Sequence, residues 1–201
     1  ERMAKFNIKR NTLIKFYIFF TIESKEYLLV NQEQKLSTGY LITTLPNVFK
    51  EYEMKLEMMA FTIASGYLSV VHFTARGDTG NTYGDRNPAI WVYGGSSPYF
   101  HIGSAVNGHW SNSQNFEEIN GVRGIPTNTW IAITVAQKFE NGSYNYTIQI
   151  NGTLSYTVEN KRPIDLTDVK VYASDPWHAP LNGTIRRLEM NTRGRKCSMF
   201  V

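Results

Sequence analysis

A stretch of aromatic alternation between residues 84 and 110 constrains this chain more than any other feature of its sequence. Two aromatic-rich runs, at 89–93 and 99–106, flank the segment Gly-Gly-Ser-Ser-Pro. Side-chain character alternates with a period of two in both runs, which predicts two β-strands joined by a turn. Such hairpins form the middle of two-sheet sandwiches, with one residue set inward and the other outward. We expect three side chains of this hairpin in the core: Trp91, Phe100 and Ile102.

A second hairpin is predicted around Asn151-Gly152, which lies between two alternating runs at 144–150 and 153–158. Asn-Gly suits a two-residue type I′ turn because both positions need a positive φ. Residues 51–58 alternate between Tyr, Met or Leu and Glu or Lys, which predicts a half-buried strand. Further strands are predicted at 27–30, 40–45, 68–74, 116–119, 130–139, 169–173 and 184–190. We expect Pro46-Asn47 to end the strand at 40–45, and 107–128 to be a long polar excursion.

The composition is that of one globular all-β domain. The chain has 201 residues, of which 42% are hydrophobic and 19% charged, which argues against disorder. The formal net charge of +4 is diffuse, and we see no stripe of basic and aromatic residues, so a nucleic-acid partner is not expected. The single cysteine, Cys197, cannot form an internal disulfide; it pairs with another molecule, stays a free thiol, or belongs to an incomplete chain.

The N-terminal region supports two interpretations. A basic segment precedes a mostly apolar run at 13–22, and this order resembles a signal peptide. Lys15 interrupts the run and no small-x-small cleavage site follows, so the alternative is a first strand. The run is too short to span a membrane in either case. We therefore divide the chain into a leader at 1–23, a sandwich at 24–192 and a basic C-terminal tail at 193–201.

The order of these pieces resembles the concanavalin A-like, laminin-G-like jelly-roll sandwich. The resemblance covers roughly residues 36–191 and is carried by the strands at 52–58 and 69–74, GDRNPAIWVY at 84–93, FHIGSAVNG at 100–108, the Trp130 strand, the hairpin at 148–156 and VKVYASDPWHAPLNGTIRRLEM at 169–190. It implies an all-β, antiparallel two-sheet jelly roll. Domains of this kind bind glycans, matrix proteins or cell-surface receptors through loops at the rim, often with calcium. Fold alone does not establish which.

Four N-x-S/T sequons predict N-glycosylation, at Asn141, Asn145, Asn151 and Asn182. All lie in predicted turns or strand edges, where a bulky glycan can leave the surface. Three of them cluster on one hairpin, although Asn-Gly-Thr also arises as ordinary turn chemistry. Together with the leader, the cluster predicts a secreted, extracellular glycoprotein.

The loop at 76–86 suggests two binding functions. Arg76-Gly77-Asp78 is a tripeptide that integrins recognise, although Gly and Asp are also common loop residues. Asp78 and Asp85 lie in this loop, and Asp175 opens another loop that we place at the same rim. Carboxylate and carbonyl oxygens are the ligands that Ca²⁺ prefers, so we expect these three aspartates as metal ligands, with Asp85 foremost.

Catalysis is not expected. A glycosidase needs two carboxylates placed across the scissile bond, and the E-x-D-x-x-E pattern of sandwich glucanases is missing from the sequence. The four histidines lack zinc-site spacing. We predict a secreted, non-catalytic binding or matrix module that recognises extracellular glycans or proteins through the loops 76–86, 107–124 and 174–182. The alternatives are a structural protein of an extracellular matrix, mineralised tissue included, and a calcium-dependent lectin that uses Trp110 and Trp177 as sugar platforms.

Overall fold

The computed structural model describes residues 17–78 and 80–200, and of residues 17–21 and 195–200 only the backbone is described. Sixteen strands follow in chain order: β1 Tyr17–Val30, β2 Gln34–Lys35, β3 Leu41–Val48, β4 Glu51–Thr62, β5 Gly66–Thr74, β6 Ala89–Gly94, β7 Tyr99–Val106, β8 His109–Phe116, β9 Glu118–Ile119, β10 Val122–Arg123, β11 Ile131–Glu140, β12 Ser143–Ile150, β13 Thr153–Glu159, β14 Leu166–Ala173, β15 Ala179–Pro180 and β16 Asn182–Phe200.

The strands form two seven-stranded sheets. Sheet A has the order β1-β16-β4-β11-β12-β13, with β2 beside β16, and sheet B has the order β3-β14-β5-β6-β7-β8, with β15 beside β5. Pairing is antiparallel except between β15 and β5. β9 and β10 form a separate two-stranded ribbon. No helix of the described residues is long and apolar enough to cross a membrane.

The hydrophobic core fills the space between the two sheets. The alternation of β4 places its Tyr, Met and Leu side chains inward, where Met54 and Met58 are fully buried, as the sequence predicted. Phe100 and Ile102 of β7 meet them from sheet B and are also fully buried. A 2.8 Å hydrogen bond between the hydroxyl groups of Ser104 and Tyr146 crosses this core. Burial raises the pKa of Tyr146, so the phenol stays neutral.

The hairpin predicted at Asn151-Gly152 is confirmed. β12 and β13 flank the two residues and pair with each other. Both turn positions have a positive φ, 50° for Asn151 and 78° for Gly152. This is the backbone conformation that makes Asn and Gly the preferred pair in short hairpins.

Two local predictions are wrong. β3 continues through Pro46-Asn47 to Val48, because β3 is an edge strand and the missing proline N–H costs no ladder hydrogen bond on the open side. The polar excursion at 107–128 contains the eight-residue strand β8, His109–Phe116. β8 is the other edge of sheet B, and its sequence HWSNSQNF lacks the apolar alternation by which strands are recognised.

The two chain ends pair with each other in sheet A. β1 runs antiparallel to β16 from Tyr17 opposite Phe200 to Val30 opposite Leu188, so residues 17–23 and 193–200 lie in strands. Positions 17–22 therefore form a strand, as the first-strand interpretation expects. The cleavage of a leader stays a prediction. Residues 1–16 of that leader lie outside the described residues, as does the side chain of Cys197.

Candidate functional site

Three tyrosines form a row across the outer face of sheet B, which we call the tyrosine row: Tyr67 of β5, Tyr93 of β6 and Tyr99 of β7. The strand register pairs Tyr67 with Tyr93 and Tyr93 with Tyr99, so all three side chains leave the sheet on one face. The first two rings meet edge to face with centroids 4.9 Å apart, and the second two stack at 5.1 Å. Tyr67 is 43% exposed and Tyr93 is 37% exposed. The row therefore presents adjoining aromatic rings to solvent.

The next row on the same face consists of Ser69, Trp91, His101 and Asn115, which are register partners in that order. The predicted burial of Trp91 is confirmed, but its predicted place between the two sheets is wrong. Its neighbours in β6 face the core, so Trp91 points the other way, yet it is only 2% exposed. Contacts with His178 and Asp175 of the loop after β14 cover it from outside.

Asp175 holds this loop against the sheet. Its Oδ1 accepts hydrogen bonds from the backbone amides of Trp177 (3.0 Å) and His178 (2.8 Å). Its Oδ2 accepts from Trp91 Nε1 at 3.2 Å and lies 3.0 Å from His72 Nδ1. Burial opposes ionisation, but hydrogen bonds from His178 and His72 outweigh it and hold the pKa of Asp175 well below its ordinary value. We call Asp175, His72, Trp91 and His178 the Asp175 network.

His72 links two loops through this network. Its Nδ1 faces the Asp175 carboxylate and its Nε2 lies 2.8 Å from the backbone carbonyl oxygen of Asp85. These two contacts join the 174–178 loop to the end of the 76–86 loop.

Arg86 lies beside these rows on the outer face of sheet B. Its guanidinium occupies the space between the rings of Trp91 and Trp110, which we call the trough. Its guanidinium carbon is 4.4 Å from the ring centroid of Trp110 and 5.0 Å from that of Trp91, within cation–π range of both. Its Nη1 donates to Ser111 Oγ at 2.9 Å. Burial lowers the pKa of Arg86, and the charges of Asp175 and Asp85 partly oppose that shift. The side chain is half-buried and held in place from several sides.

His101 connects Arg86 with the tyrosine row. Its Nδ1 lies 2.7 Å from Asn115 Oδ1, so Nδ1 carries the proton and Nε2 is left as an acceptor. Burial lowers the pKa of His101; the Asn115 hydrogen bond opposes that shift and the charge of Arg86 adds to it. The ring is therefore neutral at neutral pH. It meets Tyr67 edge to face at 5.3 Å.

The structure brings together only two of the three aspartates predicted as metal ligands. Asp78 is exposed and Asp85 is buried. A Cβ placed on Gly80 would lie 3.2 Å from an oxygen of Asp78 and 3.0 Å from an oxygen of Asp85. Those two carboxylates thus border the same space. Asp85 Oδ2 accepts from the Thr82 amide at 2.9 Å, whereas Asp175 is bound within its own network. Among the described residues, no group of three or more His, Cys, Asp or Glu side chains is arranged to hold a metal ion.

The tripeptide Arg76-Gly77-Asp78 wraps around the hydroxyl group of Thr74. Thr74 Oγ1 accepts from the three backbone amides at 3.3, 3.1 and 3.3 Å and donates to the Asp78 carbonyl at 3.0 Å. Arg76 and Asp78 are exposed. The tripeptide is thus a compact turn with both charged side chains at the surface, and its recognition by an integrin stays a prediction.

All four sequons belong to sheet A or its turns. Asn141 and Asn151 are exposed in the turns after β11 and β12, with φ of 52° and 50°. Asn145 lies on the outer face of β12, since the buried residues Tyr146 and Ile148 define the inner one. Asn182 is exposed at the start of β16. Each of the four is therefore on the sheet opposite the tyrosine row.

The two tryptophans predicted as sugar platforms are already in contact with other side chains. Trp177 meets His72 at 5.4 Å and Tyr172 at 5.8 Å, both edge to face. Trp110 carries Arg86 over its ring and stacks beside His109 at 5.8 Å. Both are partly exposed, so each keeps some surface that a ligand can reach.

Sequence reasoning missed the tyrosine row and Arg86. The signal for two of its members was present, because Tyr93 and Tyr99 are the outward positions of the hairpin in which the inward set was recognised. Tyr67 lies in β5 but precedes the strand predicted at 68–74. The pattern of that strand is almost continuously apolar, so the sequence did not indicate the face on which Tyr67 lies. The trough of Arg86 depends on Trp110 of β8, the strand that the sequence did not predict.

Comparison with known proteins establishes the fold. No protein-family model and no curated protein matches the chain. Among solved structures, the chain is similar to alginate lyase Aly36B at 14% identity, over 95% of this chain and 86% of that chain, with a TM-score of 0.51. Weaker similarities include the heptameric SAP-like pentraxin of Limulus polyphemus (14%, 83% and 75%, 0.48) and the sialyllactose-bound CBM40 of the Ruminococcus gnavus IT-sialidase (12%, 80% and 90%, 0.45).

The two antiparallel sheets, with the similarity to Aly36B, confirm the predicted all-β jelly-roll sandwich. At such an identity this similarity shows the fold alone. The narrower assignment to a laminin-G-like family stays a prediction.

Proposed function

We propose that this protein is a secreted, non-catalytic carbohydrate-binding domain whose ligand lies on the outer face of sheet B, along the tyrosine row. The observation that carries the proposal is the row itself, three adjoining rings on one rigid sheet with two of them more than a third exposed. Aromatic rings can pack against the apolar C–H faces of sugars, while their hydroxyl groups remain available for hydrogen bonds. A β-sheet holds such groups more firmly than a loop does.

The proposal moves the binding surface from the rim loops to the sheet. The loops at 76–86 and 174–182 then act as walls, because the Asp175 network ties both to the outer face. His101 contributes an acceptor, Nε2, beside Tyr67. The fold is compatible with this use, since a double mutant of Aly36B, with a TM-score of 0.51 and 15% identity, is a similar structure in complex with alginate tetrasaccharide.

We also propose that the domain is not catalytic. This part of the proposal is supported by the ion pairs that the carboxylates of β4 form. On the acidic strand β4, Glu53 forms ion pairs with Lys55 (2.6 Å) and Lys138 (2.8 Å). Glu57 pairs in the same way with Arg186 (2.6 Å) and Arg187 (2.7 Å). These groups are on sheet A, remote from the tyrosine row.

A glycan array, followed by isothermal titration calorimetry with the best ligand, tests the proposal. We expect Tyr93→Ala to weaken binding about tenfold, since a lost aromatic contact of about 1.4 kcal/mol corresponds to that factor. Tyr144→Ala is the matched control, because it removes a partly exposed tyrosine from sheet A. A blank array, or equal losses in the two variants, would contradict the proposed surface.

Calcium binding by the 76–86 loop is a second proposal. It is favoured by the approach of Asp78 and Asp85 to one space beside Gly80 and by Asp85 Oδ1, which is buried without a hydrogen-bond donor. The guanidinium of Arg76, 3.7 Å from that oxygen, would have to turn outward. Calorimetric titration of Ca²⁺ should give heat that Asp85→Asn removes and the distant Asp168→Asn retains; equal heats in wild type and Asp85→Asn exclude the site.

A further inference from the structure

We propose that the sugars recognised on the outer face of sheet B carry a carboxylate, as uronates and sialates do, and that Arg86 is the residue that binds it. This inference rests on the proposed function and specifies its ligand class. Arg86 was not a candidate in the sequence, and its role follows from the surroundings of its guanidinium group.

The fold presents Arg86 in a fixed position. A Cβ placed on Gly103 would lie 3.8 Å from Arg86 Cδ and only 2.9 Å from Ser113 Oγ, so a glycine in β7 makes room for the trough. Two indole rings and the Ser111 hydroxyl hold the guanidinium group. A guanidinium held in this way loses little conformational entropy on binding and offers a planar donor set that matches a carboxylate.

The cation also lies close to the tyrosine row. The guanidinium carbon of Arg86 lies 5.0 Å from the ring centroid of Trp91, and His101 is the register partner of Trp91. His101 bridges them through its contacts with Tyr67 at 5.3 Å and Trp91 at 5.8 Å. A sugar that covers Tyr67 therefore has a positive charge at its edge.

The acidic side chains near this surface are already bound by protein groups. Asp85 and Asp175 are buried, and their carboxylates accept hydrogen bonds from Thr82 and from the Asp175 network. Glu117 is exposed and forms an ion pair with Arg123 at 3.4 Å. We therefore expect the carboxylate of an acidic sugar to point toward Arg86.

The test compares oligogalacturonate and sialylated oligosaccharides with their carboxyl-reduced counterparts by calorimetry. We expect wild type to bind at least one acidic form about tenfold more tightly than its reduced form, the order expected for a charge-assisted contact. Arg86→Gln should bring that ratio close to one and leave binding of the reduced sugar nearly unchanged. Arg193→Gln, which removes an exposed arginine from sheet A, should preserve the ratio.

Each outcome decides a different statement. Equal binding of acidic and reduced sugars by wild type overturns the acidic ligand class and leaves carbohydrate binding intact. Binding of neither form, with a blank array, is the failure of the proposed function itself. If Arg86→Gln does not fold, Ser111→Ala replaces it, since loss of the 2.9 Å contact should reduce the ratio while the fold persists; an unchanged ratio in that variant would overturn the role of Arg86.

Discussion

Replacement of Asp175 by Asn should release the 174–178 loop from the outer face of sheet B. The loss of stability can be estimated from the contacts of Asp175. The variant keeps an oxygen for the backbone amides of Trp177 and His178. It places an NH₂ group where Oδ2 now faces Trp91 Nε1 and His72 Nδ1. The indole N–H can only donate, so it loses the carboxylate as an acceptor and keeps only the 3.3 Å contact with His178 Nδ1.

The expected loss in the free energy of unfolding is about 1–3 kcal/mol, the range for a buried hydrogen-bonding group that loses its partner. Urea unfolding followed by tryptophan fluorescence measures the difference, and near-ultraviolet circular dichroism reports whether Trp91 is still packed. Asp168→Asn is the matched control, because Asp168 is exposed and has a positive φ that Asn also tolerates. A loss below about 1 kcal/mol would refute the reasoning, since it would mean that the carboxylate does not hold the loop.

Three further predictions concern pH, the core and glycosylation. Because the folded-state pKa of Asp175 is depressed, its stabilisation should be complete above the ordinary carboxyl pKa and lost as the pH falls below it; melting temperatures of wild type and Asp175→Asn should therefore converge toward acid, and parallel curves would contradict this. Phe100→Ala should cost about 3–5 kcal/mol because Phe100 is fully buried, whereas Tyr99→Ala on the outer face should cost less than about 1 kcal/mol in urea unfolding. Protein secreted from eukaryotic cells should lose the mass of one glycan on Asn145→Gln; an unchanged mass would show that this sequon is unused.

The sequence predicted the sheets better than it predicted the outer face of sheet B. Period-two alternation identifies which residues share a side of a strand, so Met54, Met58, Phe100 and Ile102 were correctly assigned to the core. It cannot tell whether the other side is covered by a distant part of the chain. Trp91 shows the limit, since its burial depends on Asp175, a residue 84 positions away.

Polar edge strands are the other source of error. A strand in the middle of a sandwich must bury one face, and the resulting pattern is readable. β8 lies at the edge of sheet B, and most of its residues are only partly buried. Polar side chains are therefore tolerated on both of its faces. Trp110 belongs to β8, so the sequence could not predict that Arg86 lies between Trp91 and Trp110. From the sequence, Arg86 is an ordinary loop arginine.

The location of the four sequons on sheet A has a consequence for how the domain can be used. If they are occupied, the glycans form a hydrated layer over one broad side of the sandwich, and the opposite side remains bare. If the proposed binding of carbohydrate by the outer face of sheet B also holds, such a molecule would lie flat on a polysaccharide surface and turn its own sugars toward the solvent. It would coat that surface as a single oriented layer, because a second copy arriving from solution would meet glycans rather than the tyrosine row.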